Sequence, residues 1–307
     1  MNRKDFVLAL LVVTIWGANF TVIKLGLGGV PPMLLVALRF FFAVLPAIFF
    51  VKRPAVAARY WIIYGIAVGV GQFGCLFYAM HMGMPAGVAS VVLQSQAFFT
   101  LGFATLFLHE SVSISQLTGL GIASAGLYLV GHNAGGTNVF AIPPAALLLT
   151  LASAAFWGIS NIVVRKATAS AASQGSRLDV LSLVVWSSLV PPVPLFLLAI
   201  LLDTPGTVIG AITALNGVSM FSIVYLAFGA TLFGFGAWSK LLSRHPANVV
   251  APLSLLVPVT GLLTAKVVLG EQLSMLQWGG CLTVIFGLLV STFGLQMFRR
   301  LSPEQVR

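Results

Sequence analysis

The chain has 307 residues, 59% of them hydrophobic and 7% charged, with sixteen Lys or Arg against six Asp or Glu. Soluble domains carry roughly 25% charged residues and are under half apolar, so this composition excludes a compact soluble protein and reads as an integral membrane protein. The net charge of +10 falls in short segments between apolar runs, a topology signal and not a nucleic-acid-binding face.

A helical span needs about 20 mostly apolar residues. In chain order the apolar runs predict ten, at about 6–26, 32–51, 60–80, 84–107, 114–131, 143–164, 179–202, 217–241, 247–268 and 274–297. The opening "MNRKD" and the run after it mimic a signal peptide, but further spans follow, and the segment reads as a retained first span. The longest polar stretch, 165–179, has about fifteen residues, too short for a soluble domain. Positive residues in short loops set orientation. With the N-terminus in the cytoplasm, thirteen Lys and Arg gather on that side, Lys52, Arg53, Arg165 and Lys166 among them. Only Lys24 and Lys266 fall on the other side, and Arg39 lies within a span. This bias requires an even span count with both termini cytoplasmic.

The sequence repeats. Trp16-Gly17, Val22 and Lys24 match Trp157-Gly158, Val163 and Arg165 at an offset of 141 residues. "MPAGVASVV" (84–92) matches "HPANVVAPL" (245–253) at an offset of 161, in a register that also pairs Glu110 with Glu271, Ser113 with Ser274, Gln116 with Gln277, Gly119 with Gly280 and Gly126 with Gly287. Each repeat holds five spans, an odd number, so the second copy is expected to enter the membrane from the opposite side. The expected architecture is all-α, with ten transmembrane helices in two inverted five-helix repeats, 1–135 and 140–300, and a cytoplasmic tail, 301–307. Inverted repeats are a signature of secondary transporters, with the site near the midplane where the halves meet.

"WGANFTVIK" in the first span, "ALRFFFA" around Arg39 in the second, and the "P-A-x-V…E" segment closing each half together resemble the EamA family of the drug/metabolite transporter superfamily, and within it the amino-acid and metabolite exporters. The resemblance covers nearly the whole chain. It implies a ten-helix export fold acting on small metabolites at the bacterial inner membrane, and leaves the substrate open.

Polar groups inside a bilayer are costly unless they face a cavity or a partner. Trp16 with Asn19, and Trp157 with Asn161, share helix faces and suit a zwitterionic or cationic small molecule through amide hydrogen bonds and cation–π contact. The other reading is that the asparagines tie helices together. Arg39 lies about 12 Å into its span at 1.5 Å per residue, either as a substrate-carboxylate contact or as a structural arginine on a neighbouring helix end. Gln72, Gln94 and Gln96 complete the amides, and the α-helical period lets at most one of Gln94 and Gln96 face the cavity fully. Tyr78 and Trp238 lie near span ends, as substrate contacts or interface aromatics. Pro252 and Pro258 fall inside the ninth span, as a gating hinge or a static kink. Cys75 and Cys281 read as buried small hydrophobes.

All six acidic residues lie at or beyond span ends, which predicts transport without a buried carboxylate relay, by facilitated transport or exchange. No cofactor, metal or nucleic-acid partner is expected, and no enzyme, since no nucleophile–base pair lies mid-span. The expected function is export of amino acids and related small metabolites, aromatic or cationic compounds among them, by alternating access. The partners are a small-molecule substrate and the bilayer; the oligomeric state stays open, a monomer being the simpler case. The alternatives are a nucleotide-sugar or sugar-phosphate carrier and a channel.

Overall fold

A computed structural model describes residues 1–131, 142–245 and 247–294, which are helical with no strand. The predicted tail 301–307, Arg299, Arg300, Arg307, His132 and Pro246 lie outside the described residues.

Six helices are long and apolar enough to cross a membrane: α1 (Arg3–Gly26), α3 (Ala58–His81), α4 (Ala86–Leu108), α6 (Pro144–Ser173), α10 (Gly217–Arg244) and α12 (Met275–Phe293). The pair α7 (Val180–Ser187) and α8 (Pro192–Leu202) makes a seventh if taken as one span bent by 41°. The bend falls at Pro191-Pro192, whose rings cannot continue the hydrogen-bond ladder. Shorter apolar helices are α2 (Pro32–Ala47), α5 (Ile114–Gly131) and α11 (Val257–Leu269). Many apolar side chains face outward, Val267 at 81% and Leu201 at 78% exposure, as lipid contact requires. The chain is a multi-pass membrane protein.

One element departs from expectation. Residues 203–216 read as a loop, yet Pro205–Thr213 forms a short helix, α9. The Thr204 hydroxyl caps it by accepting from the Thr207 N–H, and Pro205 stands in its first turn, a start signal that the expected loop overlooked.

Residues matched by the repeat perform matched work. Ser113 and Gln116 form a reciprocal capping box at the start of α5, and Ser274 and Gln277 form another at the start of α12. α5 and α12 make the most extensive helix pair, crossing on four glycines. A Cβ on Gly119 would lie 2.6 Å from the Gly287 carbonyl oxygen, and one on Gly126 would lie 2.7 Å from that of Gly280. Each glycine therefore faces the mate of the other, which is the contact a two-fold relation produces.

Two helices share an irregularity that nothing in the composition announces. α3 and α10 each open into a wider π-helical stretch, Gly65–Phe73 and Tyr225–Phe233. Hydroxyls satisfy main-chain carbonyls there: Ser153 donates to Gln72 at 2.7 Å and Thr231 to Leu226 at 2.8 Å.

A second irregularity involves the segment that carries the two prolines. α4 tightens to a 3-10 turn at Leu93–Ser95, and the chain before α11 does the same at Ala251–Leu256. Pro252 stands near the start of that tight segment and Pro258 in the first turn of α11, where a missing N–H costs no helical bond. α4 breaks at the matched place with no proline, so proline is not what makes the break.

Candidate functional site

A cavity of about 150 Å³ lies among α1, α2, α3, α4, α6, α10 and the start of α11. Its polar wall carries Asn19, Arg39, Gln72, Gln94 and Gln96, with the hydroxyls of Ser90 and Ser254. Rings of Trp16, Phe20, Tyr64, Phe73, Trp157 and Phe235 supply most of the rest.

Arg39, only 2% exposed, is held between the two π-helical stretches. Its Nε donates to Thr231 Oγ1 at 3.2 Å, and its guanidinium carbon stands 4.0 Å from the Phe73 ring centroid. One terminal nitrogen donates to Asn19 Oδ1 at 3.4 Å. An α-helix that widens to a π turn re-aims the side chains on it, and such turns recur at functional sites. Here the two turns bring one ring and one hydroxyl to the same guanidinium.

Trp16 is fixed by its indole N–H, which donates to the Ala230 carbonyl at 3.0 Å, and by the ring of Trp238 at 5.2 Å. Trp238 is thus a support behind the wall and does not line the cavity. Gln94 and Gln96 both line the cavity, where at most one of them was expected to face it fully. In a 3-10 turn, at three residues per turn, positions two apart stand about 120° from each other around the axis, closer than in an α-helix. The Gln96 carbonyl is engaged elsewhere, accepting from Asn161 Nδ2 at 2.8 Å.

Asn161 itself does not line the cavity. It donates to Gln96 and, at 3.0 Å, to Thr100 Oγ1, so it joins α6 to α4. Tyr78 also lies off the cavity, its ring 6.1 Å from that of His81 near the end of α3. Pro258 stands behind the wall, its carbonyl accepting from Ser90 at 3.3 Å.

Sequence reasoning missed Phe20, Tyr64, Phe73, Phe235 and Ser254 in the wall, and Thr231 behind it. Phe73 could have been found as the neighbour of Gln72. Nothing in the residue pattern places Thr231, because its position depends on the extra residue in the wide turn.

Outside the cavity, charge gathers at the two ends of the molecule. At one end the Glu271 carboxylate accepts from the Ala86 and Gly87 N–H groups at 2.6 and 3.0 Å, and Lys24 donates to the Met80 carbonyl at 2.7 Å. At the other end Glu110 pairs with Arg165, and Asp5 holds His245 at 2.8 Å and Arg244 at 3.4 Å.

The EamA-like transporter family model matches residues 4–131 and 144–293. The chain belongs to the EamA-like transporter family. The match splits as the repeat does, one segment on each half. Two relatives called "Probable amino-acid metabolite efflux pump" are each 43% identical: one from Escherichia coli strain K12, over 96% of this chain and 97% of its own, and one from Salmonella typhimurium, over 97% and 98%. A more distant relative, "Uncharacterized inner membrane transporter YedA" of Escherichia coli strain K12, is 24% identical over 92% of this chain and 89% of its own. A crystal structure 20% identical in sequence has the same fold, with a TM-score of 0.63 over 98% of this chain and all of that one.

Proposed function

We propose that this chain is a secondary exporter of amino acids and related small metabolites at the bacterial inner membrane. It would work by alternating access between two inverted five-helix halves with both termini cytoplasmic. The single observation that carries this reading is the shared cavity. Segments from both halves wall it with amides, aromatic rings and one guanidinium, as midplane transporter sites are built. Its volume, about 150 Å³, is below the roughly 300–1,000 Å³ of drug-sized sites and suits a small metabolite.

Several features support ten spans. The six long helices, the bent pair and the three shorter apolar helices together number ten. Contacts between Glu271 and Ala86, and between Asp5 and His245, join segments that alternation would bring to one membrane side. The glycine crossing of α5 and α12 has the pairing expected of an inverted repeat. The efflux-pump name of the two relatives at 43% identity favours outward movement of amino-acid metabolites.

The test is counterflow of labelled amino acids in liposomes containing the full chain. Saturable, protein-dependent exchange is expected, with Trp157→Ala and Asn19→Ala raising the half-saturating concentration several-fold. No exchange of any amino acid across a broad panel would overturn the proposal. No described acidic residue lines the cavity, so a pH gradient imposed alone is expected to drive little accumulation. Strong accumulation would require a proton relay in place of exchange.

A further inference from the structure

Arg39 brings a positive charge into the cavity, and none of the lining residues carries a negative one. Its two side-chain hydrogen bonds go to neutral oxygens, those of Thr231 and Asn19, at the long distances of 3.2 and 3.4 Å. A guanidinium has five N–H donors, so these bonds leave it able to receive a further acceptor. Its charge is also without an acidic partner among the described salt bridges, which lie at Asp5 and Glu110. A cation taken out of water is costly unless an anion joins it. Phe73 and the neutral oxygens soften that cost without cancelling the charge.

The remaining wall is neutral. An ammonium entering the cavity would find ring faces and amide oxygens but no carboxylate, and it would meet Arg39 as a like charge. A carboxylate would find a planar fork whose geometry it matches, with two parallel hydrogen bonds available. A phosphate dianion would keep net negative charge after pairing with one guanidinium, so a monoanionic group fits best.

We infer that Arg39 is the carboxylate anchor of this cavity and that the cavity selects against net positive charge. Neutral amino acids and N-acylated monocarboxylates are its cargo class, whereas basic amino acids and cationic drug-like molecules are excluded. This narrows the expectation drawn from the Trp16–Asn19 and Trp157–Asn161 pairs, which included cationic compounds. It rests on the exporter reading above, since it takes the cavity to be where cargo sits.

The experiment uses three compounds of one shape: leucine, N-acetylleucine and leucinamide. The second keeps the carboxylate and loses the ammonium, and the third does the reverse. Counterflow is measured in liposomes below the amide's ammonium pKa of roughly 8. Leucine and N-acetylleucine are expected to exchange, and leucinamide to exchange about tenfold more slowly or worse, because a site built for a polar group rejects the analogue lacking it.

Arg39→Lys keeps the charge and loses the fork. It should keep the acid-over-amide order with a KM about tenfold higher and a nearly unchanged maximal rate. Arg39→Gln should erase the order. A purely structural arginine would instead lower the rate for all compounds in both variants and leave the acid-to-amide ratio untouched. Should Arg39→Gln fail to fold, the wild-type ratio together with Arg39→Lys decides.

Equal exchange of acid and amide by the wild type, or a tenfold preference surviving in Arg39→Gln, overturns the anchor while the exporter reading stands. If none of the three compounds moves while other amino acids do, the anchor also falls. If no amino acid moves at all, the exporter reading falls with it.

Discussion

Glu271 and Glu110 hold the same place in the two halves and form different bonds. Glu271 grips the first two free N–H groups of α4 with both carboxylate oxygens, the position where a negative charge and the helix dipole reinforce each other. Glu110 lies in an exposed pair with Arg165, the two side chains 41% and 47% exposed. Arg165 is itself the mate of Lys24, whose ammonium instead caps the Met80 carbonyl. Repetition therefore fixes which residues meet at each end, while the surroundings decide how firmly they hold. Glu271 is held by charge-assisted bonds to main chain, whereas its mate Glu110 is held by a solvated ion pair, beside the separate buried Asp5 cluster at that end.

Where the halves are equivalent, mated substitutions should cost the same. Gly126→Val and Gly287→Val both push a side chain into a facing carbonyl oxygen at the α5–α12 crossing. Each should cost about 3 kcal/mol, the upper end of ordinary overpacking, measured as thermal unfolding of the purified protein in detergent. A large difference between the two would break the equivalence. Where the halves differ, mates should diverge. Glu271→Ala should cost about 2 kcal/mol, as for a charged hydrogen bond lost at a helix start, against under about 1 kcal/mol for Glu110→Ala in its exposed pair. Equal losses in the same unfolding assay would mean that the two ends are held alike.

The capping boxes return to equivalence at a smaller scale. Ser113→Ala and Ser274→Ala should each cost about 1 kcal/mol, read from the same melting curves. The smallest effect runs the other way. His109 ends α4 in a left-handed conformation at φ 55°, whereas its mate at the end of α11 is Gly270 at φ 65°. An L-residue pays roughly 1–2 kcal/mol for that conformation, so His109→Gly should stabilise the protein by about 0.5–1 kcal/mol. A loss of stability would show that the imidazole holds a contact outweighing the strain.

The repeat was readable because it is written in residue types: Ser and Gln that cap, glycines that cross, glutamates that close each half. Much of the cavity was readable for a related reason, since Trp16, Asn19, Arg39, Gln72 and Trp157 are costly in lipid and stand out against an apolar background. What escaped reading depends on backbone geometry. Gln94 and Gln96 come to one cavity because a 3-10 turn brings them closer around the axis than an α-helix would. Trp238 and Asn161 are polar or aromatic in the right segments, but they stand one layer back, bracing Trp16 and Gln96 respectively. Burial of a polar group tells that it has a partner, and the partner can be another helix as readily as a cavity.

The two π-helical stretches begin 160 positions apart and have the same length, nine residues each. Such a turn arises where one residue has been added to an α-helix. Its presence in both of the matched segments is what duplication of one ancestral segment already carrying the added residue would produce. Across this stretch the two copies keep three of nine residue types, Ala67, Gly69 and Phe73 against Ala227, Gly229 and Phe233, together with the wide turn. Deleting one position ahead of Phe73 or Thr231 would turn that side chain about 100° around its helix and away from Arg39. What the two copies have preserved here is a count of residues as well as a few residue types, an inheritance of spacing as much as of chemistry.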